Sequence, residues 1–200
     1  MKRSSVTRAA LTLALAALLL PMLAQAQDLH PSRRPSPMGM ARIDVGDAHV
    51  FVVYSRPYKR GRDNIFGTAE SEALVPFGEL WRTGANENTQ ITSTGDIKVG
   101  GQDLAAGTYS LITTPGATEW KVHFNSKLGL SGNGIFADGE FTEVDLPASD
   151  VLVVTAPVGS IAEEDEVDQF TISLEATEAG ADLVFSWITT EVRVPIEAGS

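Results

Sequence analysis

Short runs in which apolar and polar residues alternate recur from Ile43 to Ile196. Trp120, Val122 and Phe124 alternate with Lys121, His123 and Asn125. Phe170, Ile172 and Leu174 alternate with Thr171 and Ser173. Leu183, Phe185 and Trp187 follow the same rule, and Val192, Val194 and Ile196 close the series. A period of two sends successive side chains to opposite faces, so these runs predict half-buried strands. His49–Ser55 is apolar on both faces and dense in β-branched and aromatic residues, as in a central strand. Thr89–Thr94, Ile97–Val99, Thr108–Thr113 and Val151–Thr155 add shorter strands. Gly100-Gly101, Ala105-Ala106-Gly107 and Pro115-Gly116 supply turns between them. Pro57 ends its strand because proline cannot donate to a ladder, and Pro195 suggests an edge. Only Ala69–Leu74 reads as a helical turn or two. Residues 126–140, rich in Gly, Ser and Asn and without a period, predict a long loop. The pattern specifies an all-β fold: a single-domain antiparallel β-sandwich, or a related barrel, of about eight to ten strands.

The N-terminus reads differently. Lys2, Arg3 and Arg8 precede an apolar run from Ala9 to Leu20, Pro21 breaks it, and Ala24-Gln25-Ala26 has the small-x-small pattern of a cleavage site. Residues 1–26 are therefore expected to be a secretory signal peptide, and the protein to be exported to the periplasm or beyond. The competing reading, a membrane anchor, fails on length: the uncharged span from Ala9 to Ala26 is interrupted by Pro21 and marginal for crossing a bilayer. No stable membrane insertion is expected once the signal is removed. Residues 27–40, with Pro31, Pro35 and Pro37, read as a flexible linker, which leaves 41–197 as the β domain. The chain has no cysteine, so its core must hold without disulfides.

Charge narrows the partners. Beyond residue 26 there are 12 Lys and Arg against 26 Asp and Glu, a balance of −14. Nucleic acid is excluded as a partner, because phosphate binding needs a basic face. The cations cluster: Arg56, Lys59, Arg60 and Arg62 fall within one segment. Arginine forks suit an anion; the plainer alternative is a solvated loop making weak ion pairs with an acidic body.

The densest chemistry lies in Trp81-Arg82-Thr83-Gly84-Ala85-Asn86-Glu87, followed by Thr89. A short polar loop with a glycine, set between strands, is where a β scaffold carries function. Arg82, Asn86, Glu87, Thr89 and Trp81 are the candidate ligand contacts, with Arg56 and Arg62 as a second wall. The alternative is structural: Arg82, Asn86 and Glu87 form a buried polar staple and Gly84 supplies a positive φ. On that reading Arg82→Ala costs much stability and Thr89→Ala less.

Tyr54-Ser55-Arg56-Pro57, Gly61-Arg62, Ile65-Phe66-Gly67, Leu74-Val75-Pro76-Phe77-Gly78 and Trp81 to Glu87 with Thr89 together resemble a secreted bacterial family known as domain of unknown function 2911. Val99-Gly100-Gly101, Ala106-Gly107-Thr108-Tyr109-Ser110-Leu111, Trp120–Asn125 and Ser186-Trp187 carry the resemblance through residues 41–197. Residues 126–148 depart from it: Leu130-Ser131-Gly132-Asn133-Gly134 stands where the resemblance implies an aromatic, tryptophan-glycine segment. The resemblance implies export and one compact domain, and no activity.

Catalytic signals are sparse. There is no cysteine nucleophile and no Gly-x-Ser-x-Gly elbow. The histidines are His30, His49 and His123; a metal shared by His49, His123 and Glu87 has no support in their spacing. No metal and no cofactor is expected. Trp120 and Trp187 read as core. The expected function is a noncatalytic binding or interaction module for a small polar ligand or an envelope component. The alternative is a hydrolase of glycans or esters with Glu87 as its acid or base.

Overall fold

The structure, a computed structural model, describes residues 33–199; the expected signal peptide at 1–26 and the first residues of the expected linker lie outside them. The alternating runs form antiparallel strands: β1 (Met38–Val45), β2 (Ala48–Ser55), β5 (Gln90–Ser93), β8 (Gly107–Thr114), β9 (Glu119–Asn125), β12 (Asp150–Ser160), β13 (Val167–Ala176), β14 (Gly180–Ile188) and β15 (Thr190–Ala198). Shorter strands are β3 (Phe66–Gly67), β4 (Val75–Pro76), β6 (Ile97–Val99), β7 (Gln102–Leu104), β10 (Gly134–Ala137) and β11 (Glu140–Glu143). The main sheet runs β1-β2-β5-β8-β9-β12-β15-β14-β13, with β6 and β7 attached to β15. It curls until it nearly closes into a barrel. From residue 35 to residue 199, helix is limited to 3-10 turns at Ala69–Ser71, Pro147–Ser149 and Glu163–Asp165.

One face of the main sheet fills the barrel. Val50, Val52, Ile91, Leu111, Trp120, Val122, Phe124, Phe170, Leu183, Phe185, Trp187, Val192 and Val194 form its buried core. Burying apolar surface is the dominant favourable term in folding. A smaller cluster of Ile112, Leu130 and Leu146 packs separately. Ile112 alternates with the core residue Leu111, so this second cluster lies on the outer face of β8, under the segment 126–149.

Three expectations need correction. Residues 126–140 are not a continuous loop: β10 and β11 form a hairpin that pairs Phe136 with Phe141. Its turn is Asp138-Gly139, both at positive φ. Asp-Gly is a strong two-residue hairpin signal, here hidden within a glycine-rich stretch. The sheet also begins earlier than residue 41, because Met38–Met40 already pair with Val53–Ser55. Gly39 allows this, since a Cβ there would stand 3.0 Å from the Tyr54 ring and 2.6 Å from the Arg56 stem. Finally, β15 is not an edge strand. Its flank changes partner from β12 at 190–192 to β6 at 196–198. Pro195 falls in the gap. Its carbonyl accepts from Gly100 N–H, so its missing N–H faces the same unpaired stretch.

The barrel is stitched at one seam. β1 and β13 end the strand path, and the free edge of β13 meets the chain that follows β2. Phe170 N–H donates to Pro57 O at 2.9 Å, and Lys59 N–H to Asp168 O at 2.7 Å. Beyond these, the Tyr54 hydroxyl takes the place of a strand. It donates to Ile172 O at 3.0 Å and accepts from Ile172 N–H at 2.8 Å. Burial holds the Tyr54 phenol above its ordinary pKa, outweighing the opposing effects of its hydrogen bond to Ile172 and of nearby Arg56.

Two consequences can be measured. Tyr54→Phe leaves both backbone groups of Ile172 without that partner and should cost about 1–3 kcal/mol in urea denaturation. The raised folded-state pKa gives a stability contribution that is complete below the unfolded tyrosine pKa of 10.0 and lost as pH rises through the folded value. Tyrosinate absorbance should therefore show Tyr54 ionising last, with alkaline unfolding.

Candidate functional site

Trp81-Arg82-Thr83 runs beside the end of β8. Trp81 N–H donates to Thr113 O at 2.8 Å and Thr113 N–H to Trp81 O at 2.9 Å. Alternation then separates neighbours. Trp81 points inward, stacks on Trp187 with ring centroids 6.0 Å apart, and meets Phe66, Trp120 and Phe170 edge-on. Its indole N–H donates to Gly84 O at 3.1 Å. Arg82, one residue on, lines an outer cleft of about 500 Å³.

Around the loop, uncharged groups make the staple. Thr83 is fully buried at φ +56, an unusual conformation for a β-branched residue. Its hydroxyl donates to Thr113 Oγ1 at 3.1 Å. Thr89, also fully buried, donates to Thr83 O at 2.6 Å. Asn88 Nδ2 donates to Ser110 Oγ at 2.7 Å. Asn86, at φ +55, donates to Ser36 O at 2.9 Å and Ser55 Oγ at 3.3 Å. Gly84 is required, because a Cβ would stand 2.7 Å from Ser55 O. The proposed grouping of Arg82, Asn86 and Glu87 does not form. Arg82 lines the outer cleft, while Glu87 lines a hollow of about 140 Å³ with Tyr54 and Ser55.

Gly78, Glu79, Leu80 and Trp81 form one wall of the Arg82 cleft, Ile112 its floor, and Gly132, Asn133, Glu143 and Leu146 the other wall. Asn133 Nδ2 donates to Glu143 Oε1 at 3.2 Å. Arg82 Nε is buried and has no hydrogen-bond partner among the described residues. The cleft therefore offers a guanidinium, two carboxylates and an amide above an apolar floor. A slightly larger hollow of about 570 Å³ lies over β1 and β2. It contains none of the motif, and its Asp44 and His49 already pair with each other at 2.5 Å.

The second wall expected from Arg56 and Arg62 is not part of this cleft. Arg56 donates to Phe170 O at 3.3 Å and Thr171 Oγ1 at 2.8 Å. Arg62 donates to Tyr58 O at 2.7 Å and Arg60 to Pro35 O at 2.8 Å. Lys59 pairs with Glu166 at 2.9 Å. The cation cluster thus binds largely to the chain's own seam. His49 and His123 lie on strands separated by β5 and β8. Sequence reading missed Glu79, Asn133 and Glu143, which come from segments without a period. It also missed the surroundings of His123, whose side-chain partners are Thr114 and Asp150.

These placements reverse the expected order of stability effects. Thr89→Val should cost about 1–3 kcal/mol, by stranding the buried Thr83 carbonyl. Gly84→Ala should cost more, since it also drives a methyl into backbone. Arg82→Ala should cost less than either, because it removes an unsatisfied buried donor along with the side chain's packing. Chemical denaturation of the three variants gives the order.

Compared with known proteins, residues 36–196 match the family described as "Protein of unknown function (DUF2911)". No curated protein and no solved structure matches the chain.

Proposed function

The chain belongs to the DUF2911 family, and we propose that it is an exported binding module for a small polar ligand, held in the Arg82 cleft. The observation that carries this reading is Arg82 itself. It lines an open cleft, and the staple beside it is built from other residues. A guanidinium in that position matches a carboxylate, phosphate or sulfate with paired hydrogen bonds. Glu79 and Glu143 accept hydrogen bonds, so the rest of the ligand carries hydroxyls or an ammonium group. Ile112 in the floor and Leu80 and Leu146 in the walls supply the apolar surface common to small-molecule sites. Envelope components with an anionic group fit this chemistry. Export rests on the N-terminal charge, apolar run and Ala24-Gln25-Ala26.

A thermal-shift panel of small carboxylates, phosphates, sulfates and amino acids tests the reading. A true ligand at a hundred times its Kd should stabilise the protein by about 2.7 kcal/mol. Arg82→Gln should abolish that shift while leaving the unliganded Tm within a few degrees of wild type. A shift that survives Arg82→Gln would sink the assignment. Mass spectrometry of the secreted product tests export: it should begin at Gln27.

A further inference from the structure

His123 lies on β9 with its side chain on the outer face, opposite Ile112 of β8 and Val153 of β12. It is 8% exposed and held at both ring nitrogens. Nδ1 is 2.8 Å from Asp150 Oδ2, and Nε2 is 3.0 Å from Thr114 Oγ1. An ionised Asp150 can only accept, so in the neutral imidazole the proton sits on Nδ1. Nε2 is then bare and accepts from the Thr114 hydroxyl. Asp150 is itself fixed, because Asn125 Nδ2 donates to its other oxygen at 2.7 Å. Hydroxyl, imidazole and carboxylate thus stand in the order and at the spacings of a nucleophile, its base and the base's orienting group. All three come from adjacent strands, which hold such geometry better than loops.

The array adjoins the Arg82 cleft. Trp81 bridges Thr113, so Arg82 flanks Ile112 and Leu80 flanks Thr114. His123 faces Ile112 from the other side, and Lys121 faces Thr114. Across two strand spacings, Arg82 and His123 are roughly 10 Å apart at the backbone. Thr114 is half-buried at the end of its strand.

We propose that Thr114, His123 and Asp150 catalyse acyl transfer from small carboxylic esters that carry an anionic arm. Thr114 is the nucleophile, His123 the general base and Asp150 a positioning residue. Thr114 Oγ1 adds to the ester carbonyl carbon as its proton passes to His123 Nε2. The imidazolium, stabilised by Asp150, returns that proton to the leaving alkoxide oxygen as the C–O bond breaks. The alcohol departs and the acyl group stays on Thr114. Water then adds to the acyl carbon and gives a proton to Nε2. The carboxylic acid leaves, and Thr114 recovers its hydroxyl proton. Only the preference for an anionic arm rests on the ligand-cleft reading, with Arg82 as the arm's partner.

The test uses the full chain with p-nitrophenyl acetate and mono-p-nitrophenyl succinate. The expected result is catalysed release of nitrophenol, with the acyl group mapped to the Thr114 peptide by mass spectrometry of quenched reactions. Thr114→Val and His123→Asn should each lower the rate by about a hundredfold or more. Thr114→Ser should retain activity, which a structural role for the methyl group would not allow. Asp150→Asn should lower kcat with KM unchanged. Arg82→Gln should raise KM for the succinate ester alone; equal loss on both esters, or none, removes the arm assignment and leaves the acyl-transfer step standing. An unlabelled Thr114 in the native protein, an acyl group found elsewhere, or a rate that survives Thr114→Val overturns the proposal.

Discussion

An antiparallel sheet rolled almost into a barrel must satisfy the edge where it fails to close, because exposed ladder groups are a template for unwanted pairing. Here that edge is β13. Three devices cover it: backbone pairing from residues 57–59, the Arg56 guanidinium on Phe170 O and Thr171 Oγ1, and the Tyr54 hydroxyl on both backbone groups of Ile172. The same contacts anchor the aromatic cluster. Phe170 packs edge-on to Tyr54 at 6.0 Å and lies 4.9 Å from Trp81, while Trp187 Nε1 donates to Asp168 O at 3.2 Å. The loop that carries Arg82 therefore hangs from a plug that is itself braced by the seam.

The seam also explains where the cations went. In so acidic a chain, a run of four basic side chains suggests a site for an external anion. Arg56, Arg60 and Arg62 instead donate to carbonyl oxygens of the chain, and Lys59 meets Glu166. Irregular backbone that cannot form a ladder presents spare carbonyls, and guanidinium groups satisfy them without further strands. Arg82 differs from these because its surroundings are settled by threonines and Asn88. Burying neutral hydroxyls with matched partners avoids the desolvation cost of a buried ion pair. The guanidinium is thereby left to line the cleft.

Period-two alternation made the barrel strands and most of the core legible: Trp120, Phe124, Phe170, Phe185 and Trp187 all face inward. It could not show the β10–β11 hairpin, whose Phe136 and Phe141 are exposed and so leave no one-sided apolar pattern. Nor could it separate the roles within the motif. Arg82 and Glu87 look like natural partners five residues apart, yet the positive φ values at Thr83 and Asn86 turn the chain between them. Threonine rarely adopts such a value, so sequence alone gave no reason to place one at Thr83.

Alternation also counted His123 as merely polar and outward. Outward is correct, but the segment 126–149 folds back over part of this outer face, so His123 is nearly buried. Thr114, His123, Asn125 and Asp150 are then linked side chain to side chain by strand register, a relation between β8, β9 and β12 that no single segment contains. The strained Thr83 lies on the neighbouring segment, held by hydroxyls of Thr83 and Thr89. Strain of this kind persists only where the surroundings over-determine it, and it gathers at functional sites. A staple that fixes the Arg82 wall and a polar row that fixes the imidazole flank the same floor residue, Ile112. The staple holds from the buried side, through Thr113, and the polar row from the outer side, through His123, so the strand that carries Ile112 is fixed on both faces. Both the proposed ligand cleft and the proposed acyl-transfer array draw on this arrangement around Ile112, and neither draws on the hollow over β1 and β2.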